Sequence, residues 1–250
     1  MNKKIENKTI ELKNKYCKFL DIDYFPEFKI NTFDSKDSRS AFITYSKDDV
    51  PILNIKDNYI SSLKDNATPI IFHEFTHIFD DYILLPELSF KEKSSLISIY
   101  SEYHAIQVQM KSSLHYAKYD SDYKFRFETK VHDWFDNKNV KEDIEFKTKD
   151  FISTIKYIFD QKETGYTYAL VLHCIYYQSM CDFWKNNCKD DVTNLIKEDI
   201  PIKLFGSEFD LLHHFIINID KTDKKYFMVL LQSQYKMIEY FTEHENNINL

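Results

Sequence analysis

Hydrophobic and polar positions recur along this chain in two rhythms, and the changes between them mark its elements. Ile5, Thr9, Leu12, Tyr16 and Phe19 fall at three- and four-residue spacing among lysines, which predicts an N-terminal amphipathic helix. Phe28 to Phe33, Ala41 to Tyr45 and Ile52 to Ile55 are short β-prone runs divided by Asp, Ser, Lys and Pro turn residues, so a small sheet is expected next. Thr68-Pro69 is a helix start: Thr68 suits the N-cap, and Pro69 sits where no amide donor is needed. From there Ile70, Ile71, Phe72, Phe75, Ile78, Phe79, Tyr82 and Ile83 cover almost the whole circumference, which predicts a buried central helix. Pro86 keeps it from running far. Ser89 and Glu92 then form a capping box, and Leu96, Ile99, Tyr103, Ile106, Met110 and Leu114 make a single apolar stripe on the helix that follows.

Beyond residue 118 the rhythm weakens. Tyr123, Phe125, Phe127, Thr129 and Val131 alternate with charged residues, favouring a short strand or extended loop over a helix. Lysine and acidic residues from Asp136 to Asp150 suggest a solvated connection. Helical patterns follow at about 144–161, 167–187, 207–218 and 223–242; Gly165 separates the first two, and Asp199-Ile200-Pro201 breaks the chain before the third. The fold class expected is α+β, predominantly helical. No internal repeat and no strong helix-turn-helix is present.

One stretch names a chemistry. In His73-Glu74-Phe75-Thr76-His77, two histidines four apart lie one turn from each other on one helix face, so both imidazoles can reach one metal ion. Glu74 points to a neighbouring face, where it can hold a metal-bound water. With 9 His in 250 residues, random placement would produce this pattern in roughly 2% of such chains, so its context has to decide. Two histidines and a carboxylate inside an almost wholly apolar helix are costly to bury unless something coordinates them.

A hydrolytic metal needs a third protein ligand and an open position. A further histidine on the same helix is excluded, because Asp80 and Ile83 stand where a longer motif would place glycine and histidine. Glu102 lies at the edge of the next helix's apolar stripe. Ser98 and Ala105, one turn to either side, are small enough to let another helix approach. His104 projects about 160° from Glu102 and away from the stripe, the position of a surface residue. For assistance to a developing oxyanion, Tyr166, Tyr168 and His173 lie in or beside the best downstream helix, but eighteen tyrosines single out none. His213-His214 are adjacent and diverge by about 100°, so one of them should be exposed.

His73-Glu74-x-x-His77 followed by Glu102 within Ser101-Glu102-Tyr103-His104-Ala105 resembles the gluzincin branch of zinc metallopeptidases, and within it the short intracellular peptidases of the ImmA/IrrE kind. The resemblance covers roughly residues 28 to 115. It implies that His73, His77 and Glu102 bind Zn2+ and that Glu74 is the catalytic base in hydrolysing a peptide or protein substrate. It also implies a zincin-like core, expected over residues 1–118, while the helical patterns beyond make 119–250 a helical C-terminal subdomain packed on that core and closing the other side of the cleft. His-Glu-Phe-Thr-His is similar to thermolysin-like enzymes too. Ile106 stands where those would have an aspartate, so the carboxylate that supports a metal ligand there does not carry over. Related proteins of phages and other mobile elements suggest an alternative: a zinc-binding antirepressor or immunity-type interaction module that turns nothing over. A closed structural zinc site is disfavoured, since no cysteine flanks the motif.

Composition narrows the partners. A net charge of 33 minus 40, or -7, with Arg39 and Arg126 as the two arginines, argues against nucleic acid. The two glycines leave no phosphate-binding loop, and the aromatic content reads as codon bias before it reads as a binding surface. No signal peptide or membrane-spanning run is evident, so no membrane partner and a cytoplasmic location are expected. Cys17, Cys174, Cys181 and Cys188 agree with a reducing compartment. The last three, spaced by seven, sit about 10 Å apart on one helix face, too far to bridge, and suit a helical core.

Overall fold

The computed structural model describes residues 3–33, 39–56, 59, 68–114, 118–132, 137–162, 165–197, 199–221, 223–248 and 250. The N-terminal amphipathic helix forms as α1 (Lys3–Leu20), and Ile5, Thr9, Leu12, Tyr16 and Phe19 are all buried. Three strands follow: β1 (Lys29–Phe33), β2 (Ala41–Tyr45) and β3 (Pro51–Lys56). Their order is β1-β3-β2, with β1 parallel and β2 antiparallel to the central β3, which leaves β2 on an edge. Buried Asn54 ties the three together: its amide donates to Thr44 Oγ1 at 2.8 Å and its carbonyl accepts from Asn31 Nδ2 at 2.9 Å.

Two long helices come next, α2 (Thr68–Ile83) and α3 (Phe90–Ser113). The capping box at Ser89 and Glu92 opens α3 as expected. Tyr16 of α1 is wedged edge-on against Phe72 and Phe75, and its hydroxyl donates to Thr76 Oγ1 at 3.2 Å, so α1 forms the rear wall of α2. Burial of α2 is not continuous, because Tyr82 and Ile83 are exposed where its last turn emerges from the core.

A small sheet, β4 (Lys130–His132) with β5 (Asn137–Asn139), precedes the C-terminal helices α4 (Val140–Gln161), α5 (Tyr166–Asn187), α6 (Asp199–Phe205), α7 (Ser207–Ile217) and α8 (Lys224–His244). Two sequence expectations need correcting here. The segment read as a solvated connection is mostly helix; its start, Asp136, lies outside the described residues. Asn139 and Glu142 form a reciprocal cap, and Val140, Ile144 and Thr148 bury one face while Asp143 pairs with Lys147 at 2.8 Å. The dense charges hid that period. Asp199-Ile200-Pro201 opens a helix as well as ending a connection, since a proline in a first turn sacrifices no helical hydrogen bond.

The molecule is α+β and mostly helical, and a single apolar core extends from Ile5 to Phe241. Within it, Tyr103 and His213 both bond Asp182 Oδ2 at 2.6 Å, joining α3, α5 and α7; His214 is exposed. Cys174, Cys181 and Cys188 are buried and unbridged. Among the described residues, no helix is long and apolar enough to cross a membrane.

Candidate metal centre

The site is made where α2 and α3 lie side by side. Helical spacing places His73 and His77 on one face of α2, with their Nε2 atoms 3.1 Å apart. Glu102 reaches across from α3, and its Oε2 lies 3.6 Å from His73 Nε2 and 3.5 Å from His77 Nε2. Those separations are long for good hydrogen bonds, and among the described residues buried Glu102 Oε2 has no hydrogen-bond partner. A tetrahedral ion with bonds of about 2.0–2.1 Å requires ligand atoms roughly 3.3 Å apart. The three atoms match that requirement, so His73, His77 and Glu102 together could hold a metal ion.

The surrounding groups favour the orientation a ligand needs. His77 Nδ1 is hydrogen-bonded to Ser101 Oγ at 2.9 Å. When Nδ1 carries the proton, Nε2 keeps its lone pair directed at Glu102. Burial alone would lower the His77 pKa, but the adjacent Glu102 carboxylate, together with the charges of Glu74 and Asp80, raises it to about 9. Burial likewise opposes ionisation of Glu102, but the two imidazoles outweigh it and hold the carboxyl well below the usual carboxylate range. Without metal, the imidazole pair and carboxylate thus retain a proton that a metal ion would replace.

Glu74 faces the same cleft as the triad and is itself mostly buried. The cleft holds about 420 Å³ and is lined by residues of β2, α2 and α3 together with Tyr176 of α5. Burial, reinforced by the Glu102 charge, pushes the Tyr176 phenol well above its ordinary pKa, so it remains a proton donor. Asp81, one turn beyond His77, also lines the cleft.

The structure therefore brings together His73, Glu74, His77 and Glu102. His104 is a correction. It is not a surface residue: its side chain is 12% exposed and Nδ1 bonds the fully buried Asp80 carboxylate at 3.0 Å. Asp80 of α2 and the Tyr119 ring cover His104, so this face of α3 is interior as well. Ser101 and Ala105, not Ser98, are the buried small residues at the helix contact. Of the downstream candidates, Tyr166 bonds Glu245 and His173 bonds the Ala169 carbonyl, whereas Tyr168 contacts the cleft residue Ser98. Tyr176 had no sequence signal among so many tyrosines. Asp81 did have one, since it continues the four-residue spacing of His73 and His77. No family model, curated protein or solved structure matches the chain.

Proposed function

We propose that this chain is a zinc-dependent metallopeptidase with a zincin-like core, in which His73, His77 and Glu102 hold the ion and Glu74 is the general base. The observation that carries the reading is the convergence of two Nε2 atoms and an unpartnered carboxylate oxygen at tetrahedral ligand spacing, beside a second carboxylate, in an open cleft. Two nitrogens and one oxygen suit zinc and leave one position for chemistry. Bound zinc would supply Lewis acidity for polarising a carbonyl and lowering the pKa of water.

The chain's own groups account for the rest. Glu74 lines the cleft beside the three ligands, where its carboxylate would accept a proton from the attacking water and return it to the leaving amine. Ser101 orients His77, and Tyr176 offers a proton-donating hydroxyl at the cleft. An extended peptide is the substrate class because β2 is an edge strand and Ala41, Phe42, Ile43 and Tyr45 line the cleft. A peptide laid along that edge would gain main-chain hydrogen bonds. In this reading the helices after residue 118 complete the cleft through Tyr176, and the unbridged cysteines suit a reducing, cytoplasmic setting.

Glu74→Gln is the direct test. It preserves shape but removes the base, so zinc content and melting temperature should match wild type while cleavage of a peptide library falls at least ~100-fold. If the wild-type protein carries zinc and cleaves neither the library nor proteins of a cell lysate, while Glu74→Gln keeps the biological effect, the protein is instead a zinc-bound interaction module.

A further inference from the structure

Asp81 is shared by two adjoining hollows, the metal cleft and a second one of about 290 Å³. Tyr45 and Phe90 also belong to both, their rings stacked with centroids 3.5 Å apart. Pro26, Pro51, Ile78 and Leu88 supply apolar lining to the second hollow, and Asp49 and Lys93 line it as well. Among the described residues, the Asp81 carboxylate receives no hydrogen bond. The neighbouring cation, Lys93, directs its ammonium to the main-chain carbonyls of Asp81 and Leu84. It thus braces the end of α2 without forming an ion pair with the carboxylate.

A carboxylate that receives no hydrogen bond and lies between two hollows with apolar walls is expensive to keep ionised. Burial pushes the Asp81 carboxyl up to about 7, and the Lys93 charge opposes this only in part. A second cation would relieve that cost. The hollow suits one borne on a long apolar stem, because the Tyr45 and Phe90 rings border both hollows and Pro26, Ile78 and Leu88 offer the stem an apolar wall. A neutral or acidic side chain there would leave the carboxylate unpaired or repelled.

We infer that this hollow is a specificity pocket for a lysine or arginine side chain of the substrate peptide, with Asp81 receiving the ammonium or guanidinium. The inference rests on the peptidase reading for the peptide nature of its ligand, but its test requires no turnover. Zinc-loaded Glu74→Gln protein would be titrated with N-acetylated hexapeptides carrying Lys, Arg, norleucine or Glu at each position in turn, with binding followed by fluorescence anisotropy. At one position Lys and Arg should bind roughly 10- to 100-fold tighter than norleucine, the range for a charge-assisted hydrogen bond. Adding Asp81→Asn should erase that difference without loss of zinc, and adding Asp81→Lys should favour Glu. Equal binding of Lys and norleucine peptides, no binding of any Lys peptide at millimolar concentration, or a Lys preference that survives Asp81→Asn would each overturn the assignment. A companion series with free N-termini covers the other source of an ammonium. If affinity follows the terminal amine whatever the side chain, the side-chain pocket is refuted. If Asp81→Asn does not fold, the Lys-versus-norleucine comparison on Glu74→Gln decides alone. Cleavage of the same peptides by the wild-type protein is scored separately, so failure of the peptidase reading would be distinguishable from failure of the pocket.

Discussion

His104→Ala should damage the fold and leave the metal site nearly untouched, and the reason is the partner it abandons. Asp80 is fully buried, and His104 Nδ1 lies 3.0 Å and 3.1 Å from its two carboxylate oxygens. His104 also packs against the rings of Tyr100 and Tyr119, each with its centroid 5.8 Å away. Removing the imidazole leaves a desolvated carboxylate without that partner and opens a space between α2 and α3. Breaking a buried pair from one side costs about 3–5 kcal/mol. For a chain of this size, 1 kcal/mol moves the melting temperature by about 2–4 °C, so a fall of roughly 6–20 °C is expected. Thermal melts on chelator-treated protein would isolate this effect from any contribution of bound metal. Changing Asp80 to Asn in the His104→Ala background should recover part of the loss, because the stranded charge dominates it. Chelator competition on the same proteins should give His104→Ala an affinity close to wild type, whereas Glu102→Ala binds far more weakly. A His104→Ala variant that melts within about 1 °C of wild type would refute the buried-pair account. One that loses zinc more readily than Glu102→Ala would move the third ligand to His104.

Metal affinity should rise with pH. His77 retains its proton to about pH 9 in the metal-free protein, and coordination requires the neutral ring, so one proton must leave. Zinc affinity should gain about tenfold per pH unit below that point and level off above it; calorimetry at pH 8 in two buffers of different ionisation enthalpy counts the protons, and a count of zero would contradict the raised pKa. By the same linkage, the stability that His77 lends the metal-free fold is fully present below its unfolded value of 6.5 and is lost as pH rises through about 9. Metal-free melts between those values should decline with pH more steeply than melts of His77→Gln. The two glycines should respond unequally to alanine. Gly206 has φ +59° and an added Cβ would lie 2.7 Å from the Tyr240 ring, whereas Gly165 has φ +80° with open space around it. Gly165→Ala should therefore cost about 1–2 kcal/mol from backbone conformation alone, and Gly206→Ala should cost more by urea denaturation; the reverse ranking would refute the steric reading.

What could be read from the chain alone was whatever depends on neighbours within a turn or two. The four-residue spacing of His73 and His77, the start at Thr68-Pro69, the Ser89–Glu92 cap and the burial of Ile5, Leu12, Tyr16 and Phe19 all follow from the period of one helix. Glu102 was also legible, as a carboxylate at a stripe edge with small neighbours. The apolar stripe of α3 nevertheless misled for His104: a stripe reveals the one face rich in hydrophobic residues, whereas α3 is enclosed on several sides and buries polar groups in pairs. Such pairs, His77 with Ser101 and Asp80 with His104, carry no hydrophobic signal, and each becomes meaningful only when the other helix is alongside. Tyr176 belongs to the same class. Its place on the cleft is set by how α5 packs against the α2–α3 pair, a long-range geometry that no local period encodes.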